Sequence, residues 1–496
     1  MATVREALTV AVDLHGNGRL DEAEILYGRI LEADPEQADA LHLLGLLRGQ
    51  RGCVPEALAL VDQALALAPG RLTFHVNRAR LAMAAGKRDE AAAGLRRALA
   101  LDPAAVEAWE EMAGLDPVAA LRRLVRLGQG HRAADLAAAG TRCLEQGDVA
   151  AALVALTDAV AAGASDADTL FALGNARLDA GLPAAAVTAF AAALALAPAS
   201  YHGFYNRGVA AFTAGQPDAA QRAFAHAFAL RPDRLDAAEY RVAVLHAAHR
   251  LVEAAAAGAE LLDIKDALAA QPRDADPAPA SGGERTRRVI AFSLWGDRRE
   301  YTRGAVENVR LAAEFYPGWV CRIYHDGSVP GAVLDALDRA GAERVVMPGD
   351  GADGGGTLWR FLAADDPTVA RFLCRDADSR LNSRERAAVA AWEDSGLPFH
   401  VLRDHVLHTE VMLAGLWGGT GGALPPLAPL IAVYTRDGGD RLLDQRFLRH
   451  VVWPRIRRRC LVHDSVHPRH GVPLPPVAID ARFAFTHVGA GVKQVE

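Results

Sequence analysis

A residue pattern that returns every 34 positions dominates the first half of the chain, and a period of that length dictates a stack of repeated units rather than one closed core. Frames beginning at Val4, Ala38, Leu72 and Val106 carry Ala11, Gly45, Ala79 and Ala113 at their eighth positions. Small residues there let two antiparallel helices approach closely. The first three frames continue with Ala23, Ala57 and Ala91, then with Pro35, Pro69 and Pro103. Proline at that point ends a second helix and sets the turn into the next unit. After an irregular stretch at 114–132 the pattern resumes at Ala133, Ala167 and Tyr201, with Gly140, Gly174 and Gly208 and then Ala152, Ala186 and Ala220. The last two frames close with Pro198 and Pro232, and residues 235–268 read as a degenerate final helical pair. The spacing predicts an all-α solenoid over residues 1–268.

These frames resemble tetratricopeptide repeats over roughly residues 4–234. The resemblance implies a concave face that receives a protein or peptide partner, with Asn77, Arg78, Asn175, Tyr205, Asn206 and Arg207 on first helices near it. The plainer alternative is an array that only extends or dimerises the molecule. Composition narrows the field further. The net charge of −7 lacks the basic excess with which nucleic-acid binders neutralise phosphate, so no nucleic-acid partner is expected. Five scattered cysteines without a Cys-x-x-Cys spacing exclude a disulfide framework and a Cys-rich zinc module. The amino terminus lacks the pattern of a secretory signal, and no apolar run reaches the roughly 18 residues that span a bilayer. A cytoplasmic location without a membrane span is the expectation.

Residues 269–287, rich in Pro, Ala, Gly and charge, read as a linker. From residue 288 to 496 the pattern changes to short β-rich runs that alternate with amphipathic stretches: VIAFSLW, VCRIYHD, RVVMP, ARFLC, FHVLRD and RCLVHD. Such alternation predicts an α/β domain with a mostly parallel, Rossmann-like sheet and a ligand site beyond the carboxyl ends of its strands.

One acidic pair falls at such an end. In ARFLCRDADSRL an apolar run leads straight into Asp376 and Asp378, two carboxylates spaced to turn toward one hard cation. The same Asp-Ala-Asp triplet occurs without a preceding strand at Asp166–Asp168 and, in the linker, at Asp274–Asp276. Sixteen residues upstream of Asp376 lies Arg360, within GTLWRFLAADDPTVARFLCRDAD. This segment resembles the region before the Asp-x-Asp motif of GT-A glycosyltransferases, especially the glycogenin and bacterial galactosyltransferase family. The opening AFSLWGDRREYTRG, with Tyr301 and Gly304, and the LLDQRFL segment, with Asp444 and Gln445, are similar to landmarks of the same family. The run Arg375–Arg380 with Arg384 and Glu385 further resembles a bacterial group that carries Arg-Asp-Ala-Asp-Ser-Arg. FTHVGAGVKQ places Lys493 six residues after His487, as in the family's closing His-x-x-Gly-x-x-Lys, although its glycines stand at 489 and 491.

The resemblance implies a GT-A-like domain and a metal-dependent glycosyltransferase that takes its sugar from a nucleotide-sugar donor. It further implies a divalent cation, Mn2+ or Mg2+, held by Asp376, Asp378 and His487, with Tyr301, Arg360, Asp376 and Lys493 on the nucleotide sugar. Glycosyl transfer leaves charge on the departing diphosphate, which the cation and the fixed charge of Arg360 and Lys493 would neutralise. Asp444 or Asp404, with Gln445 beside the first, would orient or deprotonate an acceptor hydroxyl. His405 and His408 belong to the same segment as Asp404 and are expected to face the donor sugar or acceptor. Arg360 has an alternative partner in Asp365 or Asp366 on its own helix. His463, His467 and His470 are interrupted by Pro468 and read as a loop rather than a zinc helix, and GDGADGGGTLW reads as a flexible connection or lid. The alternative for the whole chain is a non-catalytic scaffold with a degenerate transferase-like domain.

Overall fold

The computed structural model describes residues 3–269, 284–349, 351–436, 442–478, 480–483 and 487–491. They fall into two compact units, Met1–Ala219 and Ala220–Glu496.

The amino-terminal unit is all helical. Its first helices start at Val4, Ala38, Leu72, Val106, Ala133, Ala167 and Tyr201, the frame positions read from sequence. Side-chain size explains the period. A Cβ on Gly45 would meet Val61 at 2.8 Å, one on Gly140 would meet Leu156 at 2.8 Å, and one on Gly174 would meet the Phe190 ring at 2.5 Å. Ala11, Ala23, Ala57, Ala79 and Ala91 are fully buried at equivalent contacts. The irregular stretch departs from expectation, because it holds the helix Pro117–Arg126, capped by Asp116 accepting the Ala119 N–H at 3.1 Å. The helix before it, Val106–Met112, has only 7 residues, so a shortened pair replaces a full repeat.

The carboxy-terminal unit begins earlier than the Pro-rich stretch suggests. Residues 270–283 of the expected linker lie outside the described residues; Ala269 ends a helix and Arg287 opens the first strand. The helices Asp236–Ala247 and Leu251–Ala269, read from sequence as the end of the repeat stack, belong to this unit. Leu262 and Ala269 share a hydrophobic core with Val289 and Ala291. Lys265, 1% exposed, reaches Glu239 at 2.7 Å and Glu410 at 2.5 Å, and Asp266 accepts from the Trp453 indole at 2.5 Å.

The sheet has seven strands: β1 (Arg287–Leu294), β2 (Val320–His325), β3 (Glu343–Val346), β4 (Val369–Cys374), β5 (Phe399–Arg403), β6 (Trp417–Thr420) and β7 (Cys460–Asp464). Their order is β3-β2-β1-β4-β6-β5-β7, with β1 parallel to β2 and β4, and β6 antiparallel to both neighbours. β6 is the strand the sequence hides, because two of its four residues are glycine. Both are required: a Cβ on Gly418 would meet the Phe372 carbonyl at 2.4 Å, and one on Gly419 the Phe399 ring at 2.7 Å. Among the described residues no helix is long and apolar enough to cross a membrane.

Candidate functional site

Between β1 and β4 the chain order reverses, which opens a crevice beyond the carboxyl ends of those strands. A cavity of about 740 Å³ occupies it. Its walls come from Ser293 and Leu294 at the end of β1, the loop Trp295–Arg298, Tyr301 on the helix Arg299–Phe315, Thr357 and Arg360 on the 3-10 helix Gly355–Ala364, Asp376–Asp378 after β4, and Asp444 and Gln445 on the helix Leu443–Phe447. Six residues singled out from sequence therefore line one cavity: Tyr301, Arg360, Asp376, Asp378, Asp444 and Gln445.

The acidic turn is held from behind. Arg375 is completely buried; its Nε donates to Glu385 at 2.6 Å and its Nη1 to the carbonyls of Cys374 and Trp417 at 2.8 and 3.0 Å. Asn308 donates to the Ser379 carbonyl at 2.8 Å and accepts the Leu381 N–H at 3.0 Å. Gly304 is the floor: a Cβ there would lie 2.0 Å from the Ala377 carbonyl oxygen. These contacts separate the site from the same triplet in the repeats, where Asp166 caps a helix by accepting the Thr169 N–H at 2.9 Å. The remaining copy of the triplet, ending at Asp276, lies outside the described residues.

Arg360 is buried and bridges two carboxylates, Asp376 at 2.9 Å and Asp444 at 3.0 Å. It does not pair with its own helix. Asp365 accepts the N–H groups of Leu427 and Ala428, and Asp366 pairs with Arg322 at 2.7 Å. Burial opposes the Arg360 charge, yet Asp376 and Asp444 raise its pKa above the ordinary arginine value. Asp378 makes no ion pair among the described residues. Burial, then repulsion from Asp376, raises its pKa, and burial does the same for Asp444 against the pull of Arg360. Tyr301 titrates high for related reasons, desolvation first and the Asp378 charge second. Burial and the neighbouring Asp376 thus disfavour the Asp378 charge, a penalty that an incoming cation would relieve.

Gln445 supports the wall: with its amide oriented to match its neighbours, the nitrogen donates to the Met412 carbonyl at 2.9 Å and the oxygen accepts from the Ala414 N–H at 3.3 Å. The glycine-rich segment read as a flexible connection or lid contributes to the cavity wall: the Gly351 N–H donates to Asp326 at 2.8 Å, and Gly351 and Gly356 press against Trp295.

Two site residues expected from sequence sit elsewhere. Asp404 is buried away from the cavity lining, paired with Arg384 at 2.7 Å and accepting the Val488 N–H at 3.0 Å, so both its oxygens are engaged in holding chain segments. His487 is not brought to Asp376 and Asp378 but stacks on His405 at 4.2 Å and meets His408 edge-on at 4.8 Å. Its Nδ1–H donates to the Val488 carbonyl, whereas Nδ1 of His405 and of His408 each accept a backbone N–H. Those two neutral rings therefore carry their proton on Nε2 and have no lone pair for a metal. Among the described residues no group of three or more His, Cys, Asp or Glu is arranged to hold a metal ion. Lys493 lies outside the described residues.

Ser293, Trp295, Arg298 and Thr357 line the cavity without having been read from sequence. The signal available for the first three was position alone, at or just after the first strand of an α/β sheet. Arg298 lies 5.3 Å over the Tyr301 ring.

A second buried pair sets a pH response. His400 and His463 share a hydrogen bond at 3.0 Å; burial holds His400 well below the usual histidine range and brings His463 down to about 4. Their folded pKa values lie below the unfolded value of about 6.5, so the stability they contribute is complete above pH ~6.5 and drains away as pH falls toward about 4. Acidification from pH 7 to 5 is expected to lower the melting temperature of this unit in scanning calorimetry. His400→Phe, which keeps the stack on Trp392, is expected to shrink that drop. An equal drop in both proteins would contradict this origin.

Comparison with known proteins bears on the amino-terminal unit. The tetratricopeptide repeat family matches residues 11–71, 76–115 and 137–201. Those three stretches carry tetratricopeptide repeats. Solved structures similar to this chain include the Cut9-Hcn1 hetero-tetramer of the APC/C, at 15% identity over 49% of this chain and 43% of that one, with a TM-score of 0.22. YrrB, described as a TPR protein with an unusual peptide-binding site, is 19% identical over 42% of this chain and 95% of its own, with a TM-score of 0.22. A tetratricopeptide repeat protein from Parabacteroides merdae is 16% identical over 49% of this chain and 98% of its own, with a TM-score of 0.27. No curated protein matches the chain.

Proposed function

We propose that the carboxy-terminal unit is a metal-dependent glycosyltransferase of GT-A type that takes a nucleotide sugar in the cavity between β1 and β4. We propose further that the tetratricopeptide repeats bind a protein or peptide, as acceptor or partner, and that the chain works in the cytoplasm, where five free cysteines suit a reducing environment. The observation that carries the reading is the convergence of Asp376, Asp378, Arg360, Tyr301 and Asp444 on one cavity of about 740 Å³, a volume within the range of small-molecule sites.

The donor set suits a hard divalent cation. Asp376 and Asp378 offer carboxylate oxygens, and a diphosphate would supply further oxygens to Mn2+ or Mg2+. When bound, such a cation neutralises charge that develops on the leaving diphosphate. Arg360 holds fixed positive charge beside Asp376 within a buried wall, where it acts with little screening. Tyr301 and Trp295 are the aromatic side chains that line the cavity, and a nucleobase would pack against them. Asp444, rather than Asp404, is the candidate to orient or accept a proton from an acceptor hydroxyl, because it lines the cavity.

One observation favours the scaffold reading: Arg360 already engages Asp376 at 2.9 Å, as in a site that has given up its cation. A nucleotide-sugar panel separates the two readings. With manganese present, at least one donor is expected to raise the melting temperature of the full chain, and that rise is expected to vanish without metal. A flat response across uridine, guanosine, cytidine, adenosine and thymidine diphosphate sugars would leave the scaffold.

A further inference from the structure

The segment 487–491 runs from the histidine group to the acidic pair. Val488 is buried with Ala388, Leu402 and Leu416, and its N–H donates to Asp404 Oδ2 at 3.0 Å. The Ala490 N–H closes a turn on the His487 carbonyl at 3.1 Å. Gly489 takes φ +81°, a left-handed conformation that favours glycine, and lies where a Cβ would be 2.7 Å from Leu416. Gly491 then comes up against the acidic pair, with a Cβ position 3.2 Å from Asp378 Oδ2.

We propose that residues 487–491 form a strap that packs against Asp378 from outside the residues lining the cavity, and that Asp404 is the latch that fastens it, a positioning residue acting through the Val488 N–H. The role of the strap rests on the reading of the cavity as a cation and diphosphate site: it shields the carboxylate that would meet a cation-bound diphosphate. The latch itself stands on geometry. Asp404 has a side chain only 2% exposed, with Arg384 on one oxygen and the strap on the other. If the strap lifts, a buried carboxylate oxygen loses its partner, which is costly because hydrogen bonds to charged groups are among the strong ones.

The test is amide hydrogen exchange of the full chain at one pH, comparing wild type with Asp404→Ala and Arg384→Met. In Asp404→Ala, exchange across residues 487–491 is expected to quicken about tenfold or more while β1 and β4 keep their protection. In Arg384→Met the same segment is expected to quicken less, because the carboxylate remains but loses its counter-ion. Manganese binding in the presence of uridine diphosphate is expected to weaken in both variants. Strap exchange at the wild-type rate in Asp404→Ala would overturn the latch. Should Asp404→Ala lose protection in β1 and β4 as well, Arg384→Met decides: faster strap exchange over an intact sheet supports the latch, and an unchanged rate overturns it. Failure of the cation reading would show separately, as wild type that does not bind manganese with uridine diphosphate.

Discussion

A chain that begins at Glu284 is expected to stay unfolded, whereas one that begins at Ala220 is expected to fold cooperatively. The Pro-rich stretch invites the first cut, but the helix Leu251–Ala269 is part of the carboxy-terminal core. Removing it strips Leu262 and Ala269 from the cluster around β1 and takes Lys265 away from Glu410, leaving that carboxylate with Arg449 alone at 2.6 Å. It also removes Asp266, the acceptor for the Trp453 indole. Leu262→Ala in the full chain isolates one part of this and should cost about 2–5 kcal/mol, as buried leucine truncations do. Near-ultraviolet circular dichroism and thermal melting of the two truncated chains give the answer. A cooperative transition for the chain from Glu284, at the temperature of the longer one, would contradict the assignment of this helix.

Arg360→Met should destabilise the same unit by about 3–5 kcal/mol, because it leaves two carboxylates facing one another without their buried counter-ion. Asp444 is the more severely affected, with its side chain only 10% exposed. The pH dependence carries the sign. Asp444 already titrates high through burial, and loss of Arg360 raises it further. A carboxylate with a raised folded pKa penalises the fold above that pKa, and the penalty is relieved as pH falls and the group protonates. Urea denaturation should therefore show the gap between wild type and variant narrowing from pH 7 toward pH 4. Arg360→Lys should recover only part of the stability, because an ammonium cannot span both carboxylates as the guanidinium fork does. A gap that stays constant with pH would mean the ion pairs are not its cause.

Much of the fold was legible because the repeats state their contacts in side-chain size. Gly45, Gly140 and Gly174 are small where a neighbouring helix touches them, so frame starts and helix starts coincide. Six of the seven strands announced themselves as apolar runs. β6 did not, because Gly418 and Gly419, which make room for neighbouring strands, leave it without an apolar run. No local spacing marks Lys265 as buried; its burial depends on Glu239 and Glu410, the latter 145 residues away in sequence. In the site, Asp376 and Asp378 were visible from the strand before them, whereas the true partner of Arg360 across the cavity, Asp444, is 84 residues distant and no local spacing points to it. Asp404 and His487 carried the right chemistry at plausible places, but backbone hydrogen bonds and ring stacking, which sequence does not encode locally, turn them to structural tasks.

The most direct measurement is a calorimetric titration of manganese into the full chain with uridine diphosphate present, repeated with Asp378→Asn. Wild type is expected to bind one ion per chain, and the variant is expected to lose that binding while its metal-free melting temperature stays unchanged or rises, since a neutral amide removes the repulsion from Asp376. A variant that titrates like wild type would contradict a cation held at the end of β4.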